Sequence, residues 1–262
     1  MDHSTIKALI LDMDGVIWRK KQPIGDLEDI FRRISKKGIV YAFATNNSST
    51  TTEDYASFLN NLGIPVSPEQ IFTSGKATAE LLAEDFPSGG NVFVVGMPGL
   101  AKTISQQGFS ISPENPVAVV AGIDFEVTYE KLKTAALLIR SGVPFYGSNP
   151  DKTFPTPEGQ APGAGAILAA LEAATDVKPR IVGKPQPTMF HQALAHLTEP
   201  ANSVLVVGDR LETDIAGGQA AGCRTALVLS GVSSRDQADR WKPAPDFIAA
   251  DLNELVEELP QV

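Results

Sequence analysis

Short aliphatic runs recur along the chain, each followed by a turn and then a stretch with helical spacing. The runs cover residues 8–11, 39–44, 91–95, 117–120, 143–146, 181–182, 204–207 and 225–229. Continuous apolar runs of this length suit strands buried on both faces, as in parallel sheets. Between them, Leu27, Ile30, Phe31 and Ile34 repeat at helical spacing, as do Leu132, Ala135, Ala136 and Ile139. Strands alternating with helices predict an α/β protein with parallel sheets, Rossmann-like in its core. Gly89-Gly90 and the Pro- and Gly-rich stretch 149–165 read as loops.

Composition narrows the class of protein. The chain has 262 residues, 43% hydrophobic and 20% charged, which is globular rather than disordered. Its 22 Lys and Arg against 31 Asp and Glu give a net charge of −9. An acidic surface disfavours nucleic-acid polymers and anionic membranes as partners. An acidic protein that handled an anionic substrate would need a local source of positive charge. The lone Cys223 excludes an intrachain disulfide, and its flanks read as a helix end leading into a strand. No apolar run approaches the ~20 residues that span a bilayer. The polar start carries no signal-peptide pattern, so the expected location is the cytoplasm.

Four segments carry chemistry. Asp12-Met13-Asp14-Gly15 follows the first buried run directly. In a parallel sheet, ligands bind beyond the carboxyl ends of the strands. Two carboxylates separated by one residue repel each other unless a cation or a proton intervenes. Gly208-Asp209-Arg210-Leu211-Glu212-Thr213-Asp214 follows another apolar run. Asp209 has the better functional claim there, since Asp214 can simply cap the helix that follows. Three converging carboxylates make an oxygen-rich site suited to Mg²⁺. Thr45-Asn46-Asn47-Ser48-Ser49-Thr50, after the run at 39–44, offers hydroxyls, amides and backbone N–H groups to an anion. Lys184, in Val182-Gly183-Lys184-Pro185, is the cation such a site lacks.

Other features read as structural. Gly96-Met97-Pro98-Gly99-Leu100-Ala101-Lys102-Thr103 imitates a nucleotide P-loop, but Ala101 stands where glycine is wanted and Pro98 removes a donor. Gly163-Ala164-Gly165 lacks the third glycine of a dinucleotide fingerprint. His191 and His196 have no plausible triad partner, and Trp18 and Trp241 read as packing residues. Trp18, close behind Asp14, is also placed to wall the site.

Taken together and in order, these segments resemble the haloacid dehalogenase (HAD) superfamily of phosphohydrolases. The separation of Thr45 from Lys184, 139 residues, far exceeds the 33 between Asp12 and Thr45 or the 25 between Lys184 and Asp209. That excess is similar to the branch, subfamily IIA, whose large α/β cap is inserted there. Ser148-Asn149-Pro150-Asp151 and Leu229-Ser230-Gly231-Val232 are also similar to that branch, which includes para-nitrophenyl phosphatases and nucleotide phosphatases. The expected organisation is a catalytic core of residues 1–78 and 183–262 and a cap of residues 79–182.

The resemblance implies a Mg²⁺-dependent phosphatase of small phosphate monoesters, of the sugar phosphate, nucleoside monophosphate, phosphoglycolate or pyridoxal phosphate type. Asp12 would be the nucleophile that forms an aspartyl-phosphate, and Asp14 the general acid and base. The Asp12 and Asp209 carboxylates and the Asp14 backbone carbonyl would hold the metal, with Asp214 behind them. Thr45, the Asn46 backbone N–H and Lys184 would bind phosphoryl oxygens. Asn149 and Asp151 are the candidate cap loop for the leaving group. The partner is a small phosphorylated metabolite, and because caps in this branch often mediate dimers, a homodimer through the cap stands beside a monomer as an expectation. Competing readings are a receiver-like phospho-acceptor module, which needs only about 120 residues and no cap, and a phosphomutase of the same superfamily.

Overall fold

The computed structural model describes residues 6–19, 22–156 and 158–260. The chain forms two compact units: residues up to Thr45, Glu53–Phe72 and Lys184 onward make the first, and Asn46–Thr52 with Thr73–Gly183 make the second.

The first unit is built on a six-stranded sheet. In spatial order its strands are Phe247–Ala249, Arg224–Val228, Val204–Gly208, Ala8–Leu11, Val40–Thr45 and Ile71–Thr73. Ala8–Leu11 pairs in parallel with Val204–Gly208 on one side and Val40–Thr45 on the other, and Leu11 lies opposite both Val207 and Phe43. The chain therefore winds outward in one direction from Ala8–Leu11 and in the other from Val204–Gly208. The crevice at such a switch point is where open α/β sheets bind ligands. All four residues of Ala8–Leu11 are buried, as a strand covered by helices on both faces requires.

The helix Leu27–Lys36 shows how the apolar spacing becomes packing. Leu27, Ile30, Phe31 and Ile34 form its buried stripe, and Asp26 caps it by accepting the Asp29 N–H at 3.1 Å. Each buried aliphatic or aromatic side chain contributes about 1.5–3 kcal/mol. A charge at Ile30 would therefore remove the docking of this helix on the core.

The second unit has its own parallel sheet, in the order Arg180–Ile181, Phe145–Gly147, Ala118–Ala121, Asn91–Val95, Ser110–Ile111. Thr128 caps the helix Tyr129–Arg140, whose Ala135 and Ile139 enter a core with Val119, Phe145 and Leu168. Residues 149–165, expected as loop, instead contain an antiparallel hairpin of Thr153–Thr156 with Gly159–Pro162. The expected core–cap boundary at 78/79 falls inside the unbroken helix Ser74–Asp85, which packs on the helix Pro98–Gln106, so the division comes earlier, at Phe72/Thr73. The imitation P-loop starts that second helix, and its Lys102 is exposed. Among the described residues, no helix is long and apolar enough to cross a membrane.

Candidate active site

Asp12 follows the end of Ala8–Leu11, where its N–H donates to the Val207 carbonyl at 2.9 Å, so the chain stays in strand register up to the carboxylate. Asp209 follows the neighbouring strand Val204–Gly208 in the same way, and Thr45 ends the strand on the other flank. The parallel register thus carries three residues distant in sequence to one sheet edge.

Lys184 reaches this edge from below the surface. Its side chain is 3% exposed, and its Nζ donates to Asp12 Oδ1 at 2.6 Å, Asp214 Oδ1 at 2.6 Å and the Ala44 carbonyl at 2.9 Å. Burial by itself would lower the lysine's pKa, but Asp12 and Asp214 hold it above the ordinary value, so the group stays charged. The other oxygen of Asp214 accepts the Arg210 N–H at 3.0 Å. Asp214 therefore spends both oxygens on protein partners, on a π-helical turn Leu211–Ile215, and does not cap that turn, whose capping residue is Arg210.

Asp209 is buried and accepts the Val232 N–H on Oδ2 at 2.8 Å, while its carbonyl accepts the Ser233 N–H at 2.9 Å. The 230–233 segment approaches so closely because of Gly231, where a Cβ would collide with the Asp209 carboxylate. Gly15 does the same from the other side. Its φ of +82° belongs to glycine, and a Cβ there would lie 2.5 Å from Asp209 Oδ2. Ser230 Oγ donates to the Gly15 carbonyl at 2.6 Å and joins the two loops.

One lysine faces three carboxylates here. Ligand oxygens of Asp12, Asp209 and Asp214 all lie within 4.8 Å of one another. Burial raises Asp12 well above the usual carboxylate range; Lys184 opposes this, and Asp214 and Asp209 add to it. Burial, then Asp214, pushes Asp209 up to about 7. The Asp12 and Asp209 oxygens converging at one sheet edge, with Asp214 holding the lysine behind them, are a donor set that fits Mg²⁺.

Asp14 is open to solvent, unlike the others, yet burial in the protein around it raises its carboxyl. Trp18 Nε1 donates to Asp14 Oδ1 at 2.9 Å. The sequence pointed to Trp18 only as packing or as a wall, and it missed Ser230, Val232 and Ser233 as groups that hold the site. The string Leu229 to Val232 was a signal without an assigned role.

Asn46 begins the second unit's segment, next in the chain after Thr45. The Asn149 amide donates to the Asn46 carbonyl at 2.7 Å, Ser74 Oγ donates to the same carbonyl at 2.6 Å, and the Asn46 amide donates to Asp151 Oδ2 at 3.1 Å. The Asn149–Asp151 loop thus holds the Asn46 segment. His191 and His196 lie on the helix Thr188–Leu197, where His196 meets Phe72 edge-on. Trp241 lies against an apolar cluster with Leu211 and Ile215.

A doubly wound parallel sheet with a lysine-bridged carboxylate cluster beyond its switch point defines the class: an α/β enzyme core. Residues 9–110 match the model of the haloacid dehalogenase-like hydrolases, and residues 181–255 match that of the HAD-hydrolase-like proteins. The chain is 35% identical to an acid sugar phosphatase of Staphylococcus saprophyticus, over 97% of this chain and 98% of that one. It is 36% identical to the 5'-nucleotidase YutF of Bacillus subtilis, over 96% and 98%. The solved 4-nitrophenylphosphatase of Thermotoga maritima superposes with a TM-score of 0.91 at 36% identity, covering 97% of each chain. The chain belongs to the haloacid dehalogenase-like hydrolase family, among its phosphatases.

Proposed function

We propose that the protein hydrolyses small phosphate monoesters with Mg²⁺ through a phosphorylated Asp12. The observation that carries this reading is the Lys184 bridge to Asp12 and Asp214 at 2.6 Å each, beside Asp209 at the switch point of the sheet. The names of the relatives, for a sugar phosphate, a nucleotide and 4-nitrophenyl phosphate, support the monoester class and not one metabolite.

In this reading Lys184 fixes one Asp12 oxygen by its 2.6 Å bond, leaving the other to attack phosphorus. The P–O bond to the leaving group breaks as the Asp12–phosphorus bond forms. Asp14 delivers its proton to the departing oxygen, then takes one from water as that water attacks the phosphoryl group and frees Asp12. The Thr45 hydroxyl and the following peptide N–H at Asn46 hold the phosphoryl oxygens, and the Lys184 ammonium, its three N–H groups already on Asp12, Asp214 and the Ala44 carbonyl, neutralises their charge and orients Asp12. The Asp12 and Asp209 carboxylates and the Asp14 backbone carbonyl would hold Mg²⁺, with Asp214 fixing Lys184 behind them. Bound there, the ion offsets repulsion between carboxylate and phosphate and stabilises the charge that develops on phosphorus.

The test is p-nitrophenyl phosphate turnover with Mg²⁺, with EDTA, and in Asp12→Asn. Turnover that needs Mg²⁺ and is lost in Asp12→Asn supports the reading. Sustained turnover in that variant overturns the nucleophile assignment, and a single stoichiometric phosphorylation without turnover indicates a receiver-like module instead.

A further inference from the structure

We propose that Trp18 is a positioning residue for proton transfer: its indole N–H holds Asp14 Oδ1, so that Oδ2 is the oxygen that gives and takes the proton. The inference rests on Asp14 being the general acid and base.

Two links join these residues. The side-chain link is the 2.9 Å bond from Trp18 Nε1 to Asp14 Oδ1. The backbone link is the Gly15 N–H, which donates to the Trp18 carbonyl at 2.8 Å. The turn between them is closed by Met13, whose carbonyl accepts the N–H groups of Ile17 at 2.8 Å and Trp18 at 3.3 Å. Trp18 then enters a short antiparallel ladder and pairs with Pro23.

The ring itself is fixed. Trp18 is 5% exposed. It stacks on Tyr55 at 6.5 Å and 12° and meets Phe58 edge-on at 5.3 Å and 76°. Such aromatic pairs are worth about 0.5–1.5 kcal/mol each beyond the area they bury. Packing alone would not orient the polar edge of the ring toward a solvent-open carboxylate.

An indole N–H can only donate. The oxygen it faces is an acceptor, and because the carbonyl oxygen of a carboxylic acid accepts better than its hydroxyl oxygen, the bond favours the transferable proton on the other one. When the P–O bond of the ester breaks, the Oδ2–H proton passes to the leaving oxygen. An alcohol departs, and Asp14 becomes a carboxylate with Oδ1 still held. The same oxygen then accepts the proton of the attacking water. Without the N–H, the carboxyl of Asp14 rotates about its last torsion, and both oxygens sample the wrong direction. A catalytic group oriented by a third residue is the general arrangement of activated side chains.

The experiment compares wild type, Trp18→Phe and Asp14→Asn on phenyl phosphate and p-nitrophenyl phosphate, reading kcat/KM. Phenol has a pKa of about 10, like tyrosine, and needs protonation far more than nitrophenolate does. Phe keeps the ring stack and removes the donor. Trp18→Phe should lose about tenfold more kcat/KM on phenyl phosphate than on p-nitrophenyl phosphate. Inhibition by inorganic phosphate should stay within about twofold, because phosphate binding does not use the donor. Equal losses on both esters, or none, while Asp14→Asn remains selective, would overturn the role of Trp18 and leave Asp14 standing. An Asp14→Asn variant without leaving-group selectivity would overturn the role of Asp14, and the proposal with it. A second readout leaves Trp18 in place. Of the two indole N–H resonances, that of Trp18 should shift and exchange faster in Asp14→Ala, while that of Trp241 should not; an unmoved Trp18 signal would overturn the contact.

Discussion

Asp214 Oδ1 and Lys184 Nζ lie 2.6 Å apart, both almost wholly buried, with the Arg210 N–H on the other oxygen of Asp214. Asp214 is thus the group that pins the lysine and a poor candidate for direct metal contact. Replacing Lys184 by Met strands Asp12 and Asp214 as unpaired buried acids, which costs about 3–5 kcal/mol. Asp214→Asn keeps the shape and leaves Lys184 its bond to Asp12. Thermal melting at pH 8 should show a much larger fall for Lys184→Met than for Asp214→Asn. Equal falls would contradict the bridge.

Metal and pH act on the same cluster. Asp209 has a folded pKa of about 7, above the unfolded value of about 3.9. Its contribution to stability is full below about pH 4 and is lost as the pH rises through 7. Metal-free protein therefore carries an uncompensated charge at pH 8 that it does not carry at pH 6. At pH 8 Mg²⁺ no longer competes with a proton on Asp209, so it should raise the melting temperature more at pH 8 than at pH 6. Equal shifts at the two pH values would contradict the coupling.

Asn149 and Asp151 brace Asn46 by bonds of 2.7 and 3.1 Å. If the peptide N–H of Asn46 binds phosphoryl oxygens, Asn149→Ala should raise KM for p-nitrophenyl phosphate and the inhibition constant of inorganic phosphate together, by about three- to tenfold. A change for one bulky leaving group alone would show that the loop acts on the leaving group, the role its sequence suggested.

Cys223 is 8% exposed, and burial pushes its thiol up to about 11. At pH 8 a disulfide reagent should therefore label no thiol in the folded protein and one per chain after unfolding. Rapid labelling of native protein would contradict this.

The parts legible in sequence were those set locally. Residues 8–11 and 204–207 are continuous apolar runs ending in Asp12 and Gly208-Asp209, and strand-end placement follows from the run itself. Ser110–Ile111 is a two-residue strand, too short to leave a pattern, and Arg180–Ile181 left only the brief run 181–182. The hairpin Thr153–Thr156 with Gly159–Pro162 was hidden by its Pro and Gly content, which reads as loop. The Trp18–Asp14 and Val232–Asp209 bonds depend on turn geometry and on a 23-residue return of the chain, neither of which a motif records.

The account turns on Asp12 as the covalent nucleophile. With Asp14 as the proposed base, Asp14→Asn should slow the release of phosphate from that residue, so that the intermediate accumulates. The decisive measurement is acid quenching of this variant during p-nitrophenyl phosphate turnover with Mg²⁺, followed by peptide mass spectrometry. The account predicts one phosphate on the peptide containing Asp12, absent from the Asp12→Asn protein. Nitrophenol release with no phosphate on that peptide at any quench time would contradict it.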